Sequence, residues 1–193
     1  GCRAVMERYA GKVCEFISFD GGYSKLVDTA VGSERFRICI KTEGGHSFGA
    51  FGNRNAIAVL SSMISTLYSV KVPQEGNSKT TYNVGTISGG TSVNTIAQNA
   101  EMLFEFRSDE REGISIMQTH FDRIVEEFRS NGVEISVEVV GDRPCGAPVD
   151  EIRMKQLVQR AQDAALRRYG HEINFGSGST DCNIPLSLGV PSV

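Results

Sequence analysis

What most constrains the fold is the way the apolar period changes between Glu34 and Val139. Phe36, Ile38 and Ile40 alternate with Arg35, Arg37 and Lys41, the pattern of a half-buried strand. Ile57, Leu60, Ile64 and Leu67 then fall on one helical face, with Asn53 or Asn55 placed to cap it and Pro73, Gly76 and Asn77 to break it. Residues 80–88 read as a second strand. Ala100, Met102, Phe104 and Phe106 alternate with Glu101, Glu105 and Arg107 in a third. Ser108 or Asp109 caps a second helix with Ile114, Met117, Phe121, Ile124 and Phe128 inward, and Asn131-Gly132 ends it. Val133, Ile135, Val137 and Val139 alternate in the last strand.

The order β-α-β-β-α-β is the ferredoxin-like split βαβ arrangement. Each helix stripe needs a sheet face to cover it, so the block reads as an α+β layer: an antiparallel four-stranded sheet with both helices on one face. The flanks read differently. A short helix ends near Tyr9, and a strand over 13–19 runs into Asp20-Gly21-Gly22. Beyond the block, Gly141-Asp142-Arg143-Pro144 reads as a turn. Asp150 caps a helix over 151–169, stopped by Gly170. A strand over 172–175 leads into a glycine-rich loop over 176–181, followed by one helical turn at 184–188 and the start of a strand at 190–193. Isolated βα units cannot cover both faces of a parallel strand. The flanks are therefore expected to belong to one larger α/β sheet.

With 40% apolar residues a buried core is available. The net charge of −3, without runs of like charge, argues against a nucleic-acid surface. No apolar stretch reaches membrane-spanning length. Five scattered cysteines without CxxC spacing read as reduced thiols, so a cytoplasmic location is expected.

Several residues are placed to carry chemistry. Asp20 sits at the carboxyl end of a strand, where open α/β sheets bind ligands; it is a turn aspartate or a metal ligand. His46, in Gly44-Gly45-His46-Ser47-Phe48-Gly49, has little side-chain cover and points outward. Asn94 lies in a Gly/Thr/Ser-rich link, as a turn residue or a substrate contact. Arg107 and Arg143 are either surface ion-pair partners or bidentate carboxylate binders. Gly178, Ser179 and Thr180 offer backbone N–H groups and a hydroxyl to an anion. Neither phosphate-binding glycine motif is present, and the tail lacks the G-x-S-x-G of a serine-hydrolase elbow.

Taken in order, Phe19-Asp20-Gly21-Gly22, Gly45-His46-Ser47, Val93-Asn94-Thr95-Ile96, Phe106-Arg107, Gly141-Asp142-Arg143-Pro144 and Gly178-Ser179-Thr180-Asp181 resemble the two-zinc metallopeptidases. That family includes peptidase T, glutamate carboxypeptidase, aminoacylase and succinyl-diaminopimelate desuccinylase. The resemblance implies a lid and dimerisation domain at 33–145, with catalytic-domain fragments at 1–32 and 146–193. It implies hydrolysis of an amide bond in small peptides or N-acyl amino acids, two zinc ions per subunit, and a homodimer formed through the lid. Asp20 becomes a zinc ligand. His46 reaches the partner's active site and polarises the scissile carbonyl. Asn94, Arg107, Arg143, Gly178, Ser179 and Thr180 become substrate contacts. The family's His-x-Asp motif, its Glu-Glu pair and its final histidine have no counterpart here, and His120 and His171 stand in the wrong places. A zinc site takes about three protein ligands plus an open position, so this chain alone is expected to be inactive. The alternative is a stand-alone ferredoxin-like binding module without catalysis.

Overall fold

A computed structural model describes residues 1–9, 11–19, 25–74, 76 and 78–193. Its elements in chain order are α1 (Cys2–Arg8), β1 (Lys25–Ala30), β2 (Gly32–Lys41), β3 (Gly45–His46), α2 (Ala56–Tyr68), β4 (Thr80–Gly89), β5 (Thr95–Ile96), β6 (Asn99–Ser108), α3 (Arg111–Ser130), β7 (Glu134–Arg143), α4 (Glu151–Tyr169), β8 (Asn174–Gly178) and α5 (Asn183–Ser187). They divide into two compact units. One holds Glu34–Arg107 and Glu112–Asp142; the other holds Gly1–Ser33, Ser108–Arg111 and Arg143–Val193.

The first unit is the expected ferredoxin-like layer. Its four-stranded antiparallel sheet has the order β4-β6-β2-β7, the strand order of a split βαβ fold. Inward residues of β2 (Phe36, Ile38, Ile40) and β6 (Met102, Phe104, Phe106) meet Leu60, Met63 and Leu67 of α2 and Met117, Phe121 and Ile124 of α3. Phe121 lies at the centre of this core, stacked on Phe36 at 4.4 Å and on Phe104 at 5.6 Å. Asn55 caps α2 by accepting from the Ile57 and Ala58 N–H groups, and Gly132, with φ 76°, ends α3.

Two details differ from the sequence reading. The buried stripe of α2 is Ala56, Leu60, Met63 and Leu67, while Ile57 is exposed and Ile64 half-buried. Spacings of four, three and four keep a straighter line along a 3.6-residue helix than the expected three, four and three. Ile57 instead approaches Gly90, whose added Cβ would lie 3.0 Å from the Ile57 Cδ1. The expected turn at Gly141-Asp142-Arg143 is the last part of β7. A Cβ on Gly141 would come within 3.2 Å of Arg35 Cδ, so the glycine serves side-chain packing across the sheet and not chain reversal.

The second unit pairs β1 and β8 in parallel, from Lys25 opposite Asn174 to Ala30 opposite Gly178, with a bulge between Val27 and Thr29. The glycine-rich run expected to be a loop is thus partly strand. Cβ atoms on Gly176 and Gly178 would strike Lys25 Cε at 2.6 Å and Val27 Cγ2 at 3.0 Å, so glycine lets neighbouring side chains lie across β8. The expected strand over 13–19 reduces to a parallel bridge between Phe16 and Ser192, with Phe16 N–H donating to Pro191 O (3.0 Å) and Val193 N–H to Phe16 O (3.1 Å). Helix α4 has the expected bounds; Asp150 accepts from the Ile152 and Arg153 N–H groups, and Gly170 is left-handed at its end. Leu157 packs on Leu26 and Val193, with Met154, Val158, Ala161 and Ile173 around them. Phe19, Ile17 and Ile152 remain exposed.

Cys2, Cys14, Cys39, Cys145 and Cys182 are free thiols, and burial pushes the Cys145 and Cys182 thiols up from their ordinary values. No described helix is long and apolar enough to cross a membrane.

Candidate functional site

His46 ends β3, which pairs antiparallel with β5 so that His46 faces Thr95 and Gly45 faces Ile96. Two glycines make the approach possible. Gly44 has φ 64°, and a Cβ there would sit 2.8 Å from Gln98 Cβ; Gly45 has φ 130°, and its Cβ would sit 2.7 Å from Ala50 Cβ. Asn53 Nδ2 donates to Gly44 O at 2.7 Å, and Ala50 N–H to His46 O at 2.8 Å, closing the loop. The Phe48 and Gly49 N–H groups both point at His46 Nδ1, at 3.3 and 3.4 Å. With Nδ1 accepting, the proton of the neutral ring sits on Nε2, and the exposed imidazole presents an N–H donor outward.

The Asn94 loop lies beside it. Ser47 N–H donates to Asn94 O at 2.9 Å, while Ser92 Oγ bonds Asn94 Oδ1 at 2.9 Å and Thr95 Oγ1 at 2.7 Å. The structure therefore brings His46 and Asn94 together. An open groove of about 720 Å³ adjoins them on the sheet face, lined among others by Cys39, Lys41, Ser88, Thr95 and Glu101. Within it Ser88 Oγ pairs with Glu101 at 3.3 Å, and Lys41 with Glu134 at 3.8 Å.

Arg107 is not part of that cluster. It stands near the opposite end of β6 from the Asn94 loop, eight residue steps past Asn99, or about 27 Å at strand rise. Its Nε and Nη2 donate to Glu105 Oε1 and Oε2 at 2.9 and 3.0 Å, and Arg35 Nε reaches Glu105 Oε2 at 3.0 Å. Burial alone raises the Glu105 pKa, but the hydrogen bonds and charges of both arginines outweigh it and hold the carboxyl below its ordinary value. Sequence reasoning missed this bracket because Arg35 and Glu105 are 70 residues apart. Arg37 pairs with Glu138 at 2.9 Å on the same sheet face. Burial, then the charges of Asp142 and Asp122, push the Glu34 carboxyl up.

In the other unit, exposed Arg143 donates from Nη1 to Ser179 Oγ at 3.3 Å, so those two expected contacts meet. The Thr180 N–H is not free, as the sequence reading had it: it donates to Asn183 Oδ1 at 2.9 Å. Asn183, 1% exposed, also donates from Nδ2 to Val31 O at 2.8 Å and Pro144 O at 2.9 Å. It pins the Gly178-Ser179-Thr180 corner to the end of β1, where Val31 N–H donates to Gly178 O at 2.7 Å. Nothing in the local sequence marked Asn183 as this anchor. The expected metal ligand, Asp20, lies outside the described residues. Among the described residues, no three His, Cys, Asp or Glu side chains gather where a metal could sit. The described residues by themselves therefore do not make up a zinc site.

The peptidase dimerisation domain profile matches residues 29–134, more than half of the 193 residues. The chain belongs to the peptidase dimerisation domain family. Its fold is similar to that of the aminopeptidase PepT from Bacillus cereus, at 22% identity and a TM-score of 0.67, over 96% of this chain and 49% of that one. It is also similar to a tripeptidase from Staphylococcus aureus (24%, 0.68, 92% and 46%). A hydantoinase/carbamoylase family amidase from Burkholderia phymatum matches at 16% and 0.65, over 92% and 46%. The chain thus spans about half the length of these solved structures. In this peptidase dimerisation domain, charge is unevenly distributed. Helix α2 and edge strand β4 contain no charged residue, whereas α3 and the other edge strand, β7, carry many.

Proposed function

We propose that the chain is the dimerising lid of a metal-dependent peptidase or amidase, joined to parts of its catalytic domain at residues 1–32 and 146–193. Its substrates are small peptides or N-acyl amino acids. His46 donates from Nε2 to the scissile carbonyl oxygen in the partner subunit, stabilising the negative charge that develops there. The observation that carries this reading is the His46 ring itself, held by two backbone N–H groups on Nδ1 with its remaining donor facing outward. A donor aimed at a developing oxyanion is worth about 10²–10³ in rate.

Spacing supports the trans arrangement. Asn99, at the end of β6 nearest the Asn94 loop, and Arg107, near its other end, are about 27 Å apart at strand rise. A dipeptide-sized substrate cannot touch both ends in one copy, but two copies can contribute one group each. In this reading Arg107 binds the substrate carboxylate in its own subunit, while His46 and Asn94 come from the partner; Arg143, Gly178, Ser179 and Thr180 are the substrate contacts proposed for the second unit. Asp20 serves as a metal ligand completed by residues of the remaining catalytic domain. The uncharged α2 and β4 form the homodimer face, since an unprotected edge strand invites pairing with a second copy. Exposed Phe19, Ile17 and Ile152 support a larger catalytic sheet around the second unit. A stand-alone binding module would leave the likeness outside residues 29–134 without a role.

In the full-length protein, His46→Ala is expected to lower kcat about 10²–10³-fold while bound metal stays unchanged. Mixing His46→Ala with Arg107→Ala subunits restores activity if His46 acts across the dimer, because one heterodimer site then has both groups intact. No restoration by heterodimers that demonstrably form refutes the trans role.

A further inference from the structure

The His46 loop carries side chains that its donor role does not use. Phe48 and Phe51 are 91% and 92% exposed, and Val93, next to Asn94, is fully exposed at 102%. Burying such side chains is worth about 1.5–3 kcal/mol each, so three of them in water around one imidazole point to something they meet in use. The loops that carry Phe48 and Val93 are joined, and Phe51 lies three residues after Phe48 in the first of them. Phe48 follows Ser47 and Val93 precedes Asn94, and the Ser47 N–H to Asn94 O bond of 2.9 Å joins the two loops. Phe48 is tied to the imidazole as well, because its N–H donates to His46 Nδ1. Cβ atoms added at Gly49 and Gly52 would meet nothing within 4 Å, so the space around the loop is open.

We propose that Phe48, with Phe51 and Val93, forms an apolar wall for the substrate side chain beside the scissile bond, so that large uncharged side chains are preferred there. The proposal rests on His46 donating to the scissile carbonyl. Two observations favour a substrate side chain over a protein surface. Two phenyl rings and an isopropyl group offer a few hundred Å² at most, well below the ~800 Å² per partner of a stable protein interface, yet ample for one amino-acid side chain. The surroundings also exclude a charged guest. Apart from His46, residues 44–53 and 88–98 contain no ionisable side chain. Arg54, the nearest cation along the chain, is engaged by Gly132 O, and its N–H donates to Glu43.

The test uses the full-length protein and a panel of dipeptides and N-acetyl amino acids with Leu, Ala or Asp on either side of the scissile bond. The expected wild-type result is a kcat/KM for Leu at least about tenfold above Ala at one position, the scale set by methylene-sized differences in an apolar pocket, with Asp poorest. Phe48→Ser brings the Leu/Ala ratio towards one, and Phe48→Leu recovers most of it, which a merely structural role would not produce. An Asp preference in the wild type, or a ratio unmoved by Phe48→Ser and Phe51→Ser, overturns the wall. If His46→Ala leaves kcat intact, or no member is hydrolysed at all, the reading of His46 fails first and this inference with it. If Phe48→Ser lowers kcat/KM equally for every substrate and weakens dimerisation, the patch contacts the partner subunit and the proposal is wrong.

Discussion

Gly45→Ala gives the sharpest test of how the His46 loop is built. At φ 130° an alanine enters a region that is almost exclusive to glycine, at a cost of about 1–3 kcal/mol. Its Cβ would also stand 2.7 Å from Ala50 Cβ, about 1 Å inside a normal carbon–carbon contact. Ala50 cannot simply withdraw, because its N–H donates to His46 O at 2.8 Å and its carbonyl accepts from Asn53 N–H at 3.1 Å. Overpacking of this kind adds about 1 kcal/mol or more, for a total of about 2–4 kcal/mol. In a chain of this size each kcal/mol moves Tm by roughly 2–4 °C, so the first unit should melt at least about 4 °C lower. Gly49→Ala is the internal control. That glycine lacks a positive φ, an added Cβ meets nothing within 4 Å, and the change in stability is expected within about 0.5 kcal/mol. Thermal melting followed by circular dichroism reads both variants. The imidazole ¹⁵N spectrum reports whether Gly45→Ala also releases the Nε2-protonated tautomer. Equal melting of the two variants, with an unchanged imidazole spectrum, would refute the argument that this backbone holds the ring.

Glu105→Gln should cost about 1 kcal/mol near pH 7, the worth of a charge-assisted hydrogen bond discounted for partial exposure, measured by urea unfolding. The folded pKa of Glu105 is lowered, so its contribution is present above the unfolded carboxylate value of about 4.3 and fades as pH falls through the lower folded value. Acid destabilisation should therefore be shallower in the variant, and parallel acid curves would contradict the assignment. For the dimer face, Ser61→Glu on exposed α2 or Thr86→Lys on β4 should shift sedimentation equilibrium towards monomer, whereas Glu112→Lys on α3 should not.

The central layer was legible because burial on one face imposes a period the sequence has to obey. Phe36, Ile38 and Ile40 or Met102, Phe104 and Phe106 have no other economical reading. The misreadings cluster where glycine was taken for chain reversal. At Gly141, Gly176 and Gly178 the missing side chain makes room for Arg35, Lys25 and Val27 across a strand, and nothing local distinguishes that use from a turn. Strand β1, Lys25–Ala30, went unread because its partner is β8, about 150 residues away, and its own residues do not alternate cleanly. The site shows the same split. A histidine among glycines announced an exposed ring, but the lock on Nδ1 depends on where the Phe48 and Gly49 N–H groups point after the chain turns. Glu105 between two arginines, and Asn183 beneath the Thr180 corner, are meetings of residues that sequence order keeps apart.

Short connections run from the uncharged face to the two loops, and in the proposed reading they would join dimerisation to chemistry. Helix α2 begins at Ala56, ten residues after His46, and the loop between them is closed by Asn53 and started into the helix by Asn55. Strand β4 ends at Gly89, five residues before Asn94. The two elements proposed to meet a second copy are thus the same two that hold the loops proposed to enter that copy's site. Tyr68 and Tyr82 fasten them to each other, ring edge to face at 5.3 Å, with Tyr82 Oη donating to Tyr68 O and Val84 N–H donating to Tyr68 Oη. The Ser47 N–H to Asn94 O bond joins the two loops themselves. Charged α3 and β7 carry neither loop, and so they are free to stay in water. Under the proposed pairing the histidine would be positioned by the contact between copies, and a lid without its partner would keep its fold and lose its donor's target.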